Sequence, residues 1–221
     1  MTWSALRLSA LVVTVATGLV AVIGTGFGYL LARRQFPGKE LCDAFLTLPM
    51  VLPPTVTGYY LIVLLGKRGL IGRYLYELTG WTPAFRWQGA VIAAGVMALP
   101  IMVKSARAAL ESVDARYEMV SFSLGKGMLE TFLRVTLPLA SRGLLAGAVL
   151  SFARALGEFG ATLMLAGNIP GRTQTMPLAI FEAFISGEDR EAQMMALVLT
   201  ATSIVTIYLT NVLTRSAKSG A

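Results

Sequence analysis

Glu118-Met119-Val120-Ser121-Phe122-Ser123-Leu124-Gly125-Lys126-Gly127-Met128-Leu129-Glu130-Thr131-Phe132-Leu133-Arg134-Val135-Thr136-Leu137-Pro138 forms the middle of a basic segment, residues 104–142, between two long apolar spans. Its local pattern predicts two short helices joined by a bend. Asp114 can cap the first, Tyr117, Val120, Ser121 and Leu124 share one face, and Gly125 or Gly127 ends it. The second carries Leu129, Phe132, Leu133 and Val135, with Glu130 and Arg134 at a favourable i, i+4 spacing. Pro138 then stands near the start of the following span. Regular caps and a glycine bend suit contact with a protein better than contact with headgroups.

Around this segment the chain is written for lipid. Hydrophobic residues make up 55% of 221 residues and charged residues 14%, against about 25% charged in soluble domains. The apolar residues are gathered: residues 8–32, 44–66 and 192–214 contain no charge, and each exceeds the roughly 20 residues that cross a bilayer core. Residues 87–103 are at the lower limit of a span, and residues 143–167 are long enough but contain Arg154 and Glu158. A further apolar segment, 176–185, is too short to cross and re-enters or lies against the membrane. The expected class is all-α and transmembrane, with about five to six spanning helices.

The first span reads as retained and not as a removable signal, because its apolar run is long and Arg33-Arg34 follows it. One cysteine and no histidine exclude an internal disulfide, zinc triads and histidine-based nucleophile activation. The net charge of +7 reads as topology and not as nucleic-acid binding, since Lys and Arg collect beside spans. With the N-terminus outside, segments 33–43, 104–142 and 215–221 hold eleven Lys and Arg on the cytoplasmic side, against seven outside. This bias predicts N-out and C-in.

Individual spans carry further signals. Gly24 and Gly28 fall on one face of the first, which permits close helix approach. The second contains Pro49, Pro53 and Pro54, followed by Thr55, Thr57, Tyr59 and Tyr60. Proline removes a donor and clashes with the preceding turn, so this span should break, either as a simple kink or along a polar route lined by the hydroxyls. Residues 70–79 suit a short interfacial helix. Arg154 and Glu158 lie one helical turn apart, and each alone would cost about 2.5–3.5 kcal/mol at mid-bilayer. They should therefore face the bundle interior and pair, as structure or as part of a gate.

The segment quoted first resembles the coupling loop of permease subunits of ATP-binding-cassette importers: Glu-Ala-Ala, three residues, Gly, nine residues, an aliphatic, one residue, Leu-Pro. Gly125, Val135, Leu137 and Pro138 match. The front half departs, with Met119 at the acidic place and Glu118 one residue early, so the acidic role transfers to Glu118 only off register. Three further stretches resemble the molybdate branch of that family: residues 52–60, 152–162 and 166–175, the last reading Ala-Gly-Asn-Ile-Pro-Gly-Arg-Thr-Gln-Thr. Sulfate permeases share a version of the second.

The resemblance implies one transmembrane permease domain over residues 1–221 with a type I importer fold and a cytoplasmic coupling loop at 104–142. It implies ATPase coupling through Glu118, Gly125, Val135, Leu137 and Pro138, and a translocation path or gate at Thr55, Thr57, Tyr60, Arg154 and Glu158. A second copy of the chain, cytoplasmic ATPase subunits that bind ATP and Mg, a periplasmic or extracellular oxyanion-binding protein and the bilayer are the implied partners. The implied location is a bacterial or archaeal cytoplasmic (inner) membrane. The Gly-Lys pairs at 38–39, 66–67 and 125–126 lack the Ser or Thr of a phosphate loop, so no catalysis is expected in this chain. Sulfate, thiosulfate or tungstate are alternative substrates. A stand-alone secondary transporter or channel is the rival of another class, but the former normally has more spans and internal repeats.

Overall fold

The computed structural model describes residues 3–216, with side chains over residues 3–208; Met1, Thr2 and the charged terminus 217–221, counted above as cytoplasmic, lie outside the described residues. Its helices are α1 (Trp3–Arg33), α2 (Lys39–Val51), α3 (Pro54–Leu65), α4 (Gly72–Thr79), α5 (Trp87–Glu111), α6 (Ala115–Ser123) and α7 (Met128–Thr131). A π-turn (Phe132–Thr136) leads into α8 (Leu137–Leu156), followed by α9 (Gly160–Ala166), α10 (Met176–Ile185) and α11 (Asp189–Ser216). Among the described residues four helices are long and apolar enough to cross a membrane, and five if the bent pair α2–α3 is one crossing.

That pair is one crossing because its two ends lie at opposite ends of α5. Asp43 in α2 pairs with Lys104 at 2.8 Å and Arg107 at 3.2 Å, near the end of α5. At the other end Thr82 donates to the Leu65 carbonyl at 3.3 Å, just ahead of the start of α5. The break falls where the prolines predict it, with a bend of 117°. Leu52 and Pro53 each precede a proline, which drives both out of the helical region: their ψ angles are 143° and 138°. Pro54 then opens α3, where a missing N–H costs nothing.

Helix α5 is the centre of the bundle, with α1, α2, α8 and α9 packed on it. Small residues make this possible. Ala90, Ala94, Ala98 and Ala106 are fully buried, beside Val12, Val20, Met102, Leu110 and Leu144 from three helices. A Cβ on Gly28 would lie 2.6 Å from that of Ala106 and 2.9 Å from the Arg107 backbone nitrogen. The predicted glycine face of the first span is therefore spent on packing inside the chain. Gly28→Leu should lower the melting temperature in detergent by an amount matching about 1–3 kcal/mol of overpacking, whereas Gly18→Leu, with open space around it, should leave the melt unchanged.

Two boundaries differ from the sequence reading. The segment drawn as a loop from residue 104 is helical to Glu111, because Lys104, Arg107 and Glu111 satisfy their charges along α5 and onto Asp43. The span drawn through 143–167 stops at Leu156 and resumes at Gly160.

Candidate functional site

Two groups of candidate residues lie one at each end of α8. The first is built on α6. Asp114 caps it, its side chain accepting from the Arg116 N–H at 2.9 Å. After Ser123 the chain closes with paired bonds: the Gly125 N–H donates to Phe122 O at 2.9 Å and the Lys126 N–H to Ser121 O at 3.2 Å. This closure needs a left-handed residue, and Gly125 has φ +78°. The exposed side of α6 and its closure shows Tyr117, Met119, Val120, Phe122 and Leu124. Ser121 departs from the face drawn for it, lying buried with Glu118 on the opposite side.

Glu118 points into the chain. Its Oε1 accepts from Thr136 Oγ1 at 2.8 Å and from Arg33 Nε at 3.2 Å. Ser121 and Thr131 share a buried hydroxyl pair at 2.8 Å. These contacts fix α6 against the base of α8.

The second short helix of the sequence reading exists, but it runs on into α8 without a gap. Its Glu130 pairs with Arg134 at 3.0 Å as the spacing predicts, and also with Lys126 at 2.7 Å. The π-turn connects it to α8, with the Leu137 N–H reaching back to Phe132 O. The wider turn sits directly before Pro138, whose ring would otherwise press on a carbonyl one turn back. Val135 is half-buried, Leu137 packs on the central core and Pro138 is exposed.

The second group lies at the break after α8. Arg154 Nη1 meets Glu158 Oε2 at 2.7 Å. Glu158 is beyond the helix, and its other oxygen accepts the Ala161 N–H at 2.8 Å. It thus caps α9 while neutralising Arg154, at 3% exposure. A carboxylate there also answers the partial positive charge of a helix start. Gly160 brings α9 against α3, since a Cβ on it would lie 3.0 Å from Pro54 Cβ and 3.2 Å from Thr55 N.

Thr55 and Tyr60 are exposed on α3, with the Tyr59 ring 6.1 Å from that of Tyr60. Thr57 is separated from them: it is buried, and its hydroxyl has no partner. Sequence reasoning did not find Arg33, Thr136 or Asp43. Arg33 read only as a stop after the first span, and nothing local pairs it with residue 118.

Residues 24–218 match the family of binding-protein-dependent transport system inner membrane components. The chain is similar to the molybdenum transport system permease protein ModB of Escherichia coli strain K12, 43% identical over 220 residues, covering 99% of this chain and 96% of that one. It is 45% identical over 181 residues to ModB of Haemophilus influenzae, covering 82% and 79%. Similarity to the sulfate transport system permease protein CysW of Synechococcus elongatus is 35% over 205 residues, covering 93% and 71%. A chain from inward-facing MetNI methionine ABC transporter shares the fold, with a TM-score of 0.73 at 17% identity over 98% of this chain and 97% of that one.

Proposed function

Because this chain belongs to the family of binding-protein-dependent transport system inner membrane components, we propose that it is the permease subunit of an ATP-driven importer that moves molybdate across the cytoplasmic membrane. The observation that carries the substrate is near full-length likeness to a molybdenum permease at 43% identity, against 35% for a sulfate permease. The family implies a cytoplasmic ATPase and an oxyanion-binding protein as partners. ATP and Mg bind that ATPase, and this chain hydrolyses nothing.

The exposed apolar face of α6 is the docking surface for the ATPase. Motion received there passes into α8, a rod of 20 residues and about 30 Å. The far end of α8 is the Arg154–Glu158 break, beside the seam between α9 and α3. Exchange between two packings at that seam opens the route to one side or the other, which is alternating access driven by a mechanical contact. Thr55 and Tyr60 give the route a weakly polar lining, which lets a dianion leave again. Thr57, buried with its hydroxyl unpartnered, stands apart from that lining. A second copy of the chain completes the pore against the exposed side of α2, where Phe45, Met50 and Val51 are 65–78% accessible.

Docking on a cytoplasmic ATPase makes the side of α6 the cytoplasm. Arg33, at the end of α1, bonds to that side through Val113 O at 2.8 Å. The start of α1 is at the other side, where Ser9 meets the Met176 N–H at 2.7 Å. Helix α11 begins there and its 28 residues run back. The N-terminus is then outside and the C-terminus inside, in agreement with the charge bias.

The test is reconstitution in liposomes with the ATPase and the binding protein. ATP-dependent molybdate uptake is expected, with competition by tungstate and weaker competition by sulfate. Uptake by this chain without an ATPase would sink the importer reading, and sulfate competing better than molybdate would replace the substrate.

A further inference from the structure

We propose that Arg33 and Glu118 form an internal strut that makes α1 part of the moving unit, so that displacement of the coupling helix reaches α1 as well as α8. This rests on the reading of α6 as the ATPase-docking helix. Helix α6 is joined along the chain to α5 through residues 112–114 and to α8 through residues 124–136. Helix α1 has no such link. Its last residue, Arg33, supplies one: Nε donates to Glu118 Oε1 at 3.2 Å and Nη2 to Val113 O at 2.8 Å. The two side chains are 17% and 12% exposed, so solvent screens the pair less than it would a surface ion pair.

Two further contacts make the joint rigid. Thr136, 1% exposed, holds the same carboxylate oxygen from the π-turn at 2.8 Å. The Tyr29 ring of α1 meets Phe132 of that turn edge-on, with centroids 4.8 Å apart. Glu118 also faces away from Tyr117, Met119, Val120 and Phe122, the residues exposed for docking. To reach a cation on a partner it would have to leave Arg33 and Thr136. Helix α1 in turn is locked to α5 at Gly24 and Gly28, where a Cβ would lie within 2.5 Å of Met102 and 2.6 Å of Ala106. A pull on Arg33 is thus delivered to the centre of the bundle. Arg33 and Glu118 are positioning residues in this scheme.

The test compares Arg33→Met, Glu118→Arg and the exchanged pair R33E/E118R in the reconstituted complex, with molybdate uptake and ATP hydrolysis measured on the same liposomes. In Arg33→Met the ATPase should stay bound and ATP should still be hydrolysed, while uptake per ATP falls about tenfold, within the range by which residues outside both sites alter coupling. The exchanged pair should recover that ratio, and it carries the test if Arg33→Met fails to accumulate. An unchanged ratio in Arg33→Met overturns the proposal, as does an equal fall of hydrolysis and uptake, which a merely structural role would give. A ratio in the exchanged pair no better than in Glu118→Arg overturns it as well. Release of the ATPase by Glu118→Arg but not by the exchanged pair supports it, since it traces the loss to the misplaced helix. Val120→Glu tests the docking reading separately: if it retains the ATPase, that reading falls and the strut with it, whereas release there with normal coupling in Arg33→Met overturns the strut alone.

Discussion

Gly125→Arg is expected to abolish ATP-dependent uptake and stimulation of the ATPase, while the chain still inserts and accumulates. Two effects add at this position. The residue holds φ +78°, a conformation that costs a non-glycine residue roughly 1–2 kcal/mol. It also closes α6 through its own N–H and that of Lys126, so strain there reorients the exposed face. A Cβ at Gly125 meets nothing within 4 Å, so an arginine side chain projects into the open space beside the proposed docking face and adds a charge to an apolar surface. Smaller substitutions separate the two effects. Gly125→Asn should keep most activity, because asparagine tolerates the left-handed region. Gly125→Ala should fall between. ATPase co-purification and uptake in liposomes read the series, and normal uptake by Gly125→Arg would remove residue 125 from the docking surface.

The second large effect is expected at the break after α8. Arg154→Ala leaves Glu158, with 2% of its side chain exposed, as a buried carboxylate held only by the Ala161 N–H. Removing one partner of such a pair costs about 3–5 kcal/mol. The expected result is little folded permease and a lowered melting temperature. Adding Glu158→Gln to Arg154→Ala should restore much of both, since the amide oxygen still accepts from Ala161 and no charge is left unpaired. Lys39→Ala, at the first residue of α2, should change neither. If the double variant melts no higher than Arg154→Ala alone, an unpaired charge is not the cause of the loss.

The residues themselves explain which features could be read in advance. The spans at α1, α5 and α11 were legible because lipid offers backbone groups no partner, so a long apolar run has to be helical. The break at Pro53-Pro54 was legible because the ring restricts the residue before it, whatever the surroundings. The stop after Leu156 was not. A helical spacing brings Arg154 and Glu158 together, but the same contact survives when the helix ends and Glu158 turns to cap the next one. Lys104, Arg107 and Glu111 read as loop for a similar reason: their polarity suggested water, whereas Asp43, 61 residues before Lys104, pairs with Lys104 and Arg107, and Glu111 pairs with Arg107 along the helix.

The candidate site divides along the same line. Asp114 and Gly125 act on backbone within a few residues of themselves, and the sequence alone was enough to find them. Glu118 looked like a contact for another protein, since a surface loop, an acidic residue and a motif one position out of register gave no hint of Arg33. The membrane-crossing framework, the break in the second span and the bend that ends α6 follow from local residue order, because hydrophobic length and backbone stereochemistry are properties of neighbouring residues. The inward turn of Glu118, the capping role of Glu158 and the tie between α2 and α5 through Asp43 come from the folded arrangement. A buried charge takes its role from the partner that neutralises it, and that partner is brought in by packing from a distant part of the chain.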